Sequence, residues 1–213
     1  SEELLQKAVD ITNTIMATGN YAIVKGSDAG CGQMPFEGYP LSYSNQFIQE
    51  DLTSNKECIL ARIYLDGVLM HQTARQAGSL GTGLSKDFVE SFLCKDGKPI
   101  SISDQYKGDA TLDDEFTDRD PRMYQIIDNT HKPYQVVNGE RQVNLYPNCD
   151  GSSAVTGYPC VKYRSPLLLQ AEANHTTYDW FVYRYAEVLL INAEANAELG
   201  KCTQDVLDKT INQ

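Results

Sequence analysis

Long apolar runs are missing from this 213-residue chain. None approaches the roughly 18 residues that a membrane-crossing helix needs. Positive charge is scarce: Lys and Arg total 18 against 29 Asp and Glu, a formal net charge of −11. The balance argues against nucleic acid as a partner, because phosphate binding is driven by clustered Lys and Arg. It argues equally against adsorption to anionic lipid headgroups. Histidine is limited to His71, His131 and His175, all isolated, and no G-x-S-x-G surrounds a serine, so a Ser or Cys hydrolase is not expected. Among the six cysteines (Cys31, Cys58, Cys94, Cys149, Cys160, Cys202) there is no C-x-x-C pair and none lies near two His, so zinc is not indicated. Cys149 and Cys160, which flank a Gly- and Ser-containing loop, are the first pair to test for a disulfide. At this chain length small buried thiols are the expectation for most of the six. Ser1-Glu2-Glu3-Leu4-Leu5 has neither the basic start nor the apolar core of a secretory signal.

What is present divides into three zones. Residues 1–24 read as a helix: Leu4, Leu5, Ala8, Val9, Ile11, Thr12, Ile15 and Met16 recur at helical spacing, and Gly19-Asn20 closes it. Residues 25–177 hold most of the Gly and Pro and show no sustained period, so short strands, short helices and long connections are expected. Within this zone Lys56 to Tyr64 has the length and composition of a strand. Pro121 to Asp128 reads as a short helix, with Asp120 as its N-cap and Met123, Ile126 and Ile127 turned inward. Residues 178–213 read as a helix pair. One helix runs from about Tyr183 to Leu199 with Ala186, Leu189, Leu190, Ala193 and Ala197 on a stripe; Gly200 ends it, and Thr203 caps the next. Two helices joined by a tight turn, with Ala where they approach, resemble a tetratricopeptide unit. The fold class is thus mainly α: tetratricopeptide-like helix pairs with a large, irregular, loop-rich insert.

Several segments, in order, resemble those of one family. Phe181 to Gly200, with Arg184, Glu187, Leu190, Asn192, Glu194 and Glu198, resembles the signature helix of the SusD/RagB-like outer-membrane nutrient-binding lipoproteins of Bacteroidetes. Asn55 to Ala61 resembles a strand of that family, and Phe88 to Ile100 its segment ending in Asp-Gly-x-Pro. Asp118-Arg119-Asp120-Pro121-Arg122 resembles its Arg-Asp-Pro-Arg motif, and Gly157-Tyr158 with Lys162-Tyr163 the stretch that follows. Family members are longer, so the resemblance implies that residues 1–213 form a single, partial SusD-like domain. It also implies a lipid-anchored protein on the surface of the outer membrane, whose anchor Cys is not in this chain. Such a protein would bind glycan and deliver it to a SusC-like TonB-dependent transporter, without being an enzyme and without a cofactor.

The motif residues themselves read as scaffold. Arg119 or Arg122 is expected to fork onto a carboxylate presented by another segment. Arg184 and Glu187 are expected on the first turn of the signature helix, with Trp180 and Phe181 covering its start. Glycan capture calls for rings to stack on apolar sugar faces and polar groups to meet the hydroxyl rims. Thirteen Tyr against six Phe supply rings with a polar handle. Tyr39, Tyr43, Tyr106, Tyr146, Tyr158 and Trp180 fall in or beside loops, and Tyr146 and Tyr158 with Asn144 and Asn148 are the expected ligand-binding set. A helix-pair protein-interaction adaptor is the competing reading, and a carbohydrate-active hydrolase a third. A glycosidase needs two spaced carboxylates, one with a raised pKa; the sequence gives no reason for burying one of Asp113, Asp114, Glu115, Asp118 or Asp120. Structural calcium at these acids is not indicated, because their spacing does not fit D-x-D-x-D-G. Gly78 to Lys86 fails as a phosphate-binding loop, since Lys does not directly follow the last Gly.

Overall fold

The computed structural model describes residues 1–25, 42–77, 83–129, 135–137, 140–142, 154–165, 167 and 169–213. The chain divides into two compact units. One comprises Ser1–Lys25, Asp51–Ile63 and Asp179–Gln213; the other comprises Gly26–Glu50 and Tyr64–Tyr178.

The first unit is a helix pair beside a two-stranded ribbon. Helix α1 (Glu2–Ala17) places Glu2 and Glu3 at the positive end of its dipole, and Gly19 at φ +65° supplies the left-handed residue beyond its end. A long helix near the C-terminus (Tyr185–Glu198, α7 in chain order) packs on α1. Its buried face carries Val188, Leu189, Ala193 and Ala195 together with Asn192 and Asn196. Leu190 and Ala197, expected on the buried stripe, lie on the exposed side. Polar residues take their place because Asn192 Nδ2 donates to Thr12 Oγ1 at 2.8 Å and Asn13 Oδ1 at 3.0 Å, which satisfies a buried amide across the helix pair. Gly200, at φ +68°, ends the helix, and the Thr203 hydroxyl accepts from Val206 N to start α8 (Gln204–Lys209).

The signature segment differs from its expectation at its start. Trp180–Arg184 is strand β4, paired antiparallel with β1 (Cys58–Arg62), and helix begins only at Tyr185. Trp180 and Phe181 are thus strand residues opposite Arg62 and Ala61. Arg184 ends the strand, and its Nη1 lies 2.6 Å from Oε1 of Glu57, a residue only 2 % exposed. Glu57 Oε2 accepts from Val24 N at 3.1 Å, and the Glu57 carbonyl accepts from Tyr185 N at 2.8 Å. One buried glutamate therefore joins three stretches of chain, each polar atom matched.

The second unit is made of short pieces. Helices α2 (Ser42–Asn45), α3 (Thr73–Gln76), α4 (Lys86–Glu90), α5 (Leu112–Phe116) and α6 (Met123–Ile126) are each about one turn, and β2 (Gln135–Val137) and β3 (Glu140–Gln142) form a hairpin. Extended segments meet by single bridges, among them His71 with Thr176, Gly83 with Pro159, Cys94 with Arg119, and Ile127 with Cys160. The core gathers Val89, Phe116, Met123, Ile126 and Ile127. As expected, Met123, Ile126 and Ile127 face inward, but α6 starts two residues after Pro121, because Asp120 closes the turn with its carbonyl and carboxylate. Of the described cysteines only Cys94 is buried. Cys160 is a free thiol, and its suggested partner Cys149 lies outside the described residues.

Candidate functional site

The Asp118–Arg122 motif sits in the second unit, and its geometry begins with a turn. Asp118 adopts φ +56°, reversing the chain so that Asp120 N donates to Leu93 O and Lys95 N to Asp118 O. That pairing turns the two arginines in different directions. Arg119 is fully buried; Nη2 donates to the carbonyls of Val89 (2.9 Å) and Phe92 (3.0 Å), and Nη1 to that of Glu115 (3.3 Å). Its charge meets carbonyls at or just beyond the C-terminal ends of α4 and α5, the favourable end of a helix dipole for a cation. Arg122 points out and forks onto Asp120 with Nε 3.0 Å from both carboxylate oxygens. Neither arginine takes a carboxylate from another segment: Arg119 serves backbone, and Arg122 a residue two positions away. Burial alone would push Asp120 up, but hydrogen bonds from Arg122 outweigh it and hold the carboxyl below its usual range.

Beside this ion pair opens a cleft of about 520 Å³. Phe88 projects from α4 and is 45 % exposed, with Phe92 one turn on in edge-to-face contact, centroids 5.3 Å apart. Tyr43 from α2 supplies a third ring, and Ile126 an apolar contribution from α6. The Arg122 guanidinium lies 6.0 Å over the Phe92 ring. Nearby, Lys162 Nζ is 4.1 Å from the centroid of Phe47 and within 5.6 Å of those of Tyr43 and Tyr163, so three rings hold one ammonium. The cleft thus offers flat apolar faces next to a charged, hydrogen-bonding rim.

Tyr158 lies half-buried on the same core, in a turn that Gly157 makes at φ +80°. Its hydroxyl donates to Glu115, 2.9 Å from Oε1 and 3.1 Å from Oε2. Burial and this partner push the phenol up to about 12. Glu115, 3 % exposed, is the buried acid that sequence gave no reason to expect; burial raises its carboxyl above the usual range, the Tyr158 bond opposing that in part. Tyr146, Asn144 and Asn148 lie outside the described residues, as do Tyr39 and His131. Tyr106 stacks under the Arg119 guanidinium at 5.4 Å. Among the described residues no group of three His, Cys, Asp or Glu side chains is arranged to hold a metal ion, and no helix is long and apolar enough to cross a membrane.

In the sequence Phe88 and Phe92 stand only within the segment Phe88 to Ile100; that their rings line a cleft is visible in the structure. The Asp118–Arg122 run comes against Leu93 only through backbone pairing, so no sequence signal places it beside these rings.

The model of the SusD family matches residues 39–213. A SusD-like protein from Bacteroides fragilis NCTC 9343 matches with a TM-score of 0.66 and 19 % identity, over 98 % of this chain and 42 % of its own. A SusD-like carbohydrate binding protein from the same organism gives a TM-score of 0.65 at 27 % identity, over 98 % of this chain and 39 % of its own. A SusD superfamily protein from Parabacteroides distasonis ATCC 8503 gives 0.52 at 14 %, over 98 % and 38 %. The chain spans about two fifths of the length of these structures. No curated protein matches it.

Proposed function

This chain belongs to the SusD family, and from that membership we propose that it is part of a cell-surface glycan-binding protein of the outer membrane. The parent protein would be lipid-anchored and hand oligosaccharide to a SusC-like TonB-dependent transporter, with both units belonging to one partial SusD-like domain. The observation that carries the reading is the cleft of Tyr43, Phe88 and Phe92 beside the Asp120–Arg122 pair. Ring faces match the CH faces of a pyranose, and a fixed carboxylate and guanidinium match its hydroxyls. Tyr146, Asn144 and Asn148 stay candidates for the same ligand. Tyr158 enters as the residue whose bond to Glu115 fixes its loop on the core that also carries Phe92 and Tyr43. The reading is of a binder, not an enzyme: Glu115, whose carboxyl is raised, is enclosed by Tyr158 and lines no part of this cleft.

Affinity electrophoresis against a panel of neutral polysaccharides, with reducing ends assayed afterwards, tests this. Retardation without new reducing ends is expected. Phe88→Ala, at an exposed position, should cost about 1–3 kcal/mol of binding for the lost stacking and leave the circular dichroism spectrum unchanged. New reducing ends, or full retention in Phe88→Ala, would move the function or the site elsewhere.

A further inference from the structure

Tyr43 is a cleft ring that its own helix cannot hold. It stands on α2, which is four residues long, and so short a helix is not stable by its own hydrogen bonds. Support comes from other segments. Ser44 N donates at 3.1 Å to Oε1 of Gln125, a buried residue of α6, which ties α2 to the helix that carries Ile126. The Tyr43 ring meets Phe47 edge-on, centroids 5.2 Å apart and planes at 76°. Phe47 meets Tyr163 in the same manner, at 5.5 Å and 72°.

Lys162 is the point these three rings share. Its Nζ lies 4.1 Å from the Phe47 centroid, 5.5 Å from that of Tyr163 and 5.6 Å from that of Tyr43. The backbone that presents it is anchored on α6 as well: Val161, 2 % exposed, donates from N to Ile126 O at 2.7 Å. Among the described residues no carboxylate pairs with this ammonium, so the ring faces are what it has in the protein. An apolar side chain would fill the same space without giving up the hydration of a charge. What the charge adds is direction. Apolar packing is indifferent to how a ring is tilted, whereas a cation is drawn to the ring face and so constrains the tilt of every ring around it. Lys162 lines no part of the cleft, and Tyr43 does. A ring already set at its working tilt binds a sugar face without first losing its own freedom.

We infer that Lys162 is a positioning residue of the glycan cleft: its ammonium, shared with Phe47 and Tyr163, holds the Tyr43 ring at the tilt in which it meets the sugar. The inference rests on the glycan-binding reading above and names the residue that pre-sets the third ring of that site.

Affinity electrophoresis of the intact protein in gels containing neutral glucan, mannan or arabinoxylan tests it as a double-mutant cycle. Lys162→Met keeps the length of the stem and removes the charge. It should weaken retention about fivefold with an unchanged far-ultraviolet circular dichroism spectrum, while Lys162→Arg, whose cation also stacks on rings, should stay within about twofold of wild type. In a Tyr43→Ala chain the Lys162→Met change should weaken retention no further, whereas in a Phe88→Ala chain it should add its full loss. Full retention in Lys162→Met overturns the inference, as does an undiminished loss in the Tyr43→Ala chain. A Lys162→Arg chain as weak as Lys162→Met overturns it too, because charge would then not be what matters. The wild-type chain supplies a measurement that needs no stable variant. The Lys162 ε-methylene proton resonances, displaced upfield by the rings, should move again as the retained polysaccharide is added, and resonances that stay in place during saturable binding sink the inference. Loss of retention in Phe88→Ala with none in Lys162→Met removes this role alone. No retention of the wild type in any gel removes the glycan reading and this role together.

Discussion

At Tyr158 the polar handle that makes tyrosine a good sugar-binding ring is used inside the fold. Its hydroxyl serves both oxygens of a carboxylate that burial disfavours in the charged form. Tyr158→Phe keeps the ring and removes that donor, so it should destabilise by about 1–3 kcal/mol while the Glu115 carboxyl carries its charge. The sign of the pH dependence follows from the raised carboxyl. The native chain holds this proton more tightly than the unfolded chain, so stability from Glu115 grows as pH falls toward the ordinary value of 4.5. Protonation also relieves the missing donor, and the gap between variant and wild type should narrow with acidification. Urea midpoints at neutral pH and at about pH 5 measure it; a gap that stays constant would mean that the hydroxyl does not serve the charge.

The short helices and extended pieces of the second unit owe their positions to close backbone contact. Gly83 lies against the loop before Tyr158: a Cβ there would sit 2.3 Å from Thr156 Oγ1 and 2.9 Å from Ala154 Cβ, and Leu84 N donates to Tyr158 O. Gly83→Ala must push these segments apart and should cost about 1–3 kcal/mol by overpacking, read as a lowered thermal midpoint. An unchanged midpoint would show that the loop yields freely. The same scale separates what was legible from what was not. α1, the Gly200 stop and the Thr203 cap follow from local rules and were readable directly. The strand at Trp180–Arg184 has no such local sign, because its partner β1 lies over a hundred residues earlier. Glu115 was unreadable as a buried acid for the same reason: Tyr158, which satisfies it, comes from another segment.

Across the whole molecule, the first unit is assembled from three separated stretches of chain. Contacts such as Asn192 with Thr12 join residues 180 positions apart, so α1 and β1 cannot bury their inner faces until the last stretch is present. A chain ended at Tyr178 should therefore lose more helical circular dichroism than removal of α7 and α8 accounts for, because α1 frays without its partner. Loss limited to the removed residues would show that α1 stands alone.

The sequence by itself determined the helix pair, the loop-rich insert and the family, because periodicity, caps and motif order are local or summed properties. Only the tertiary structure decided which acids are buried, that Arg119 caps backbone while Arg122 faces a cleft, and that Phe88, Phe92 and Tyr43 share that cleft. Those facts depend on segments far apart in the chain meeting at a few ångströms, and no one-dimensional pattern encodes such a meeting.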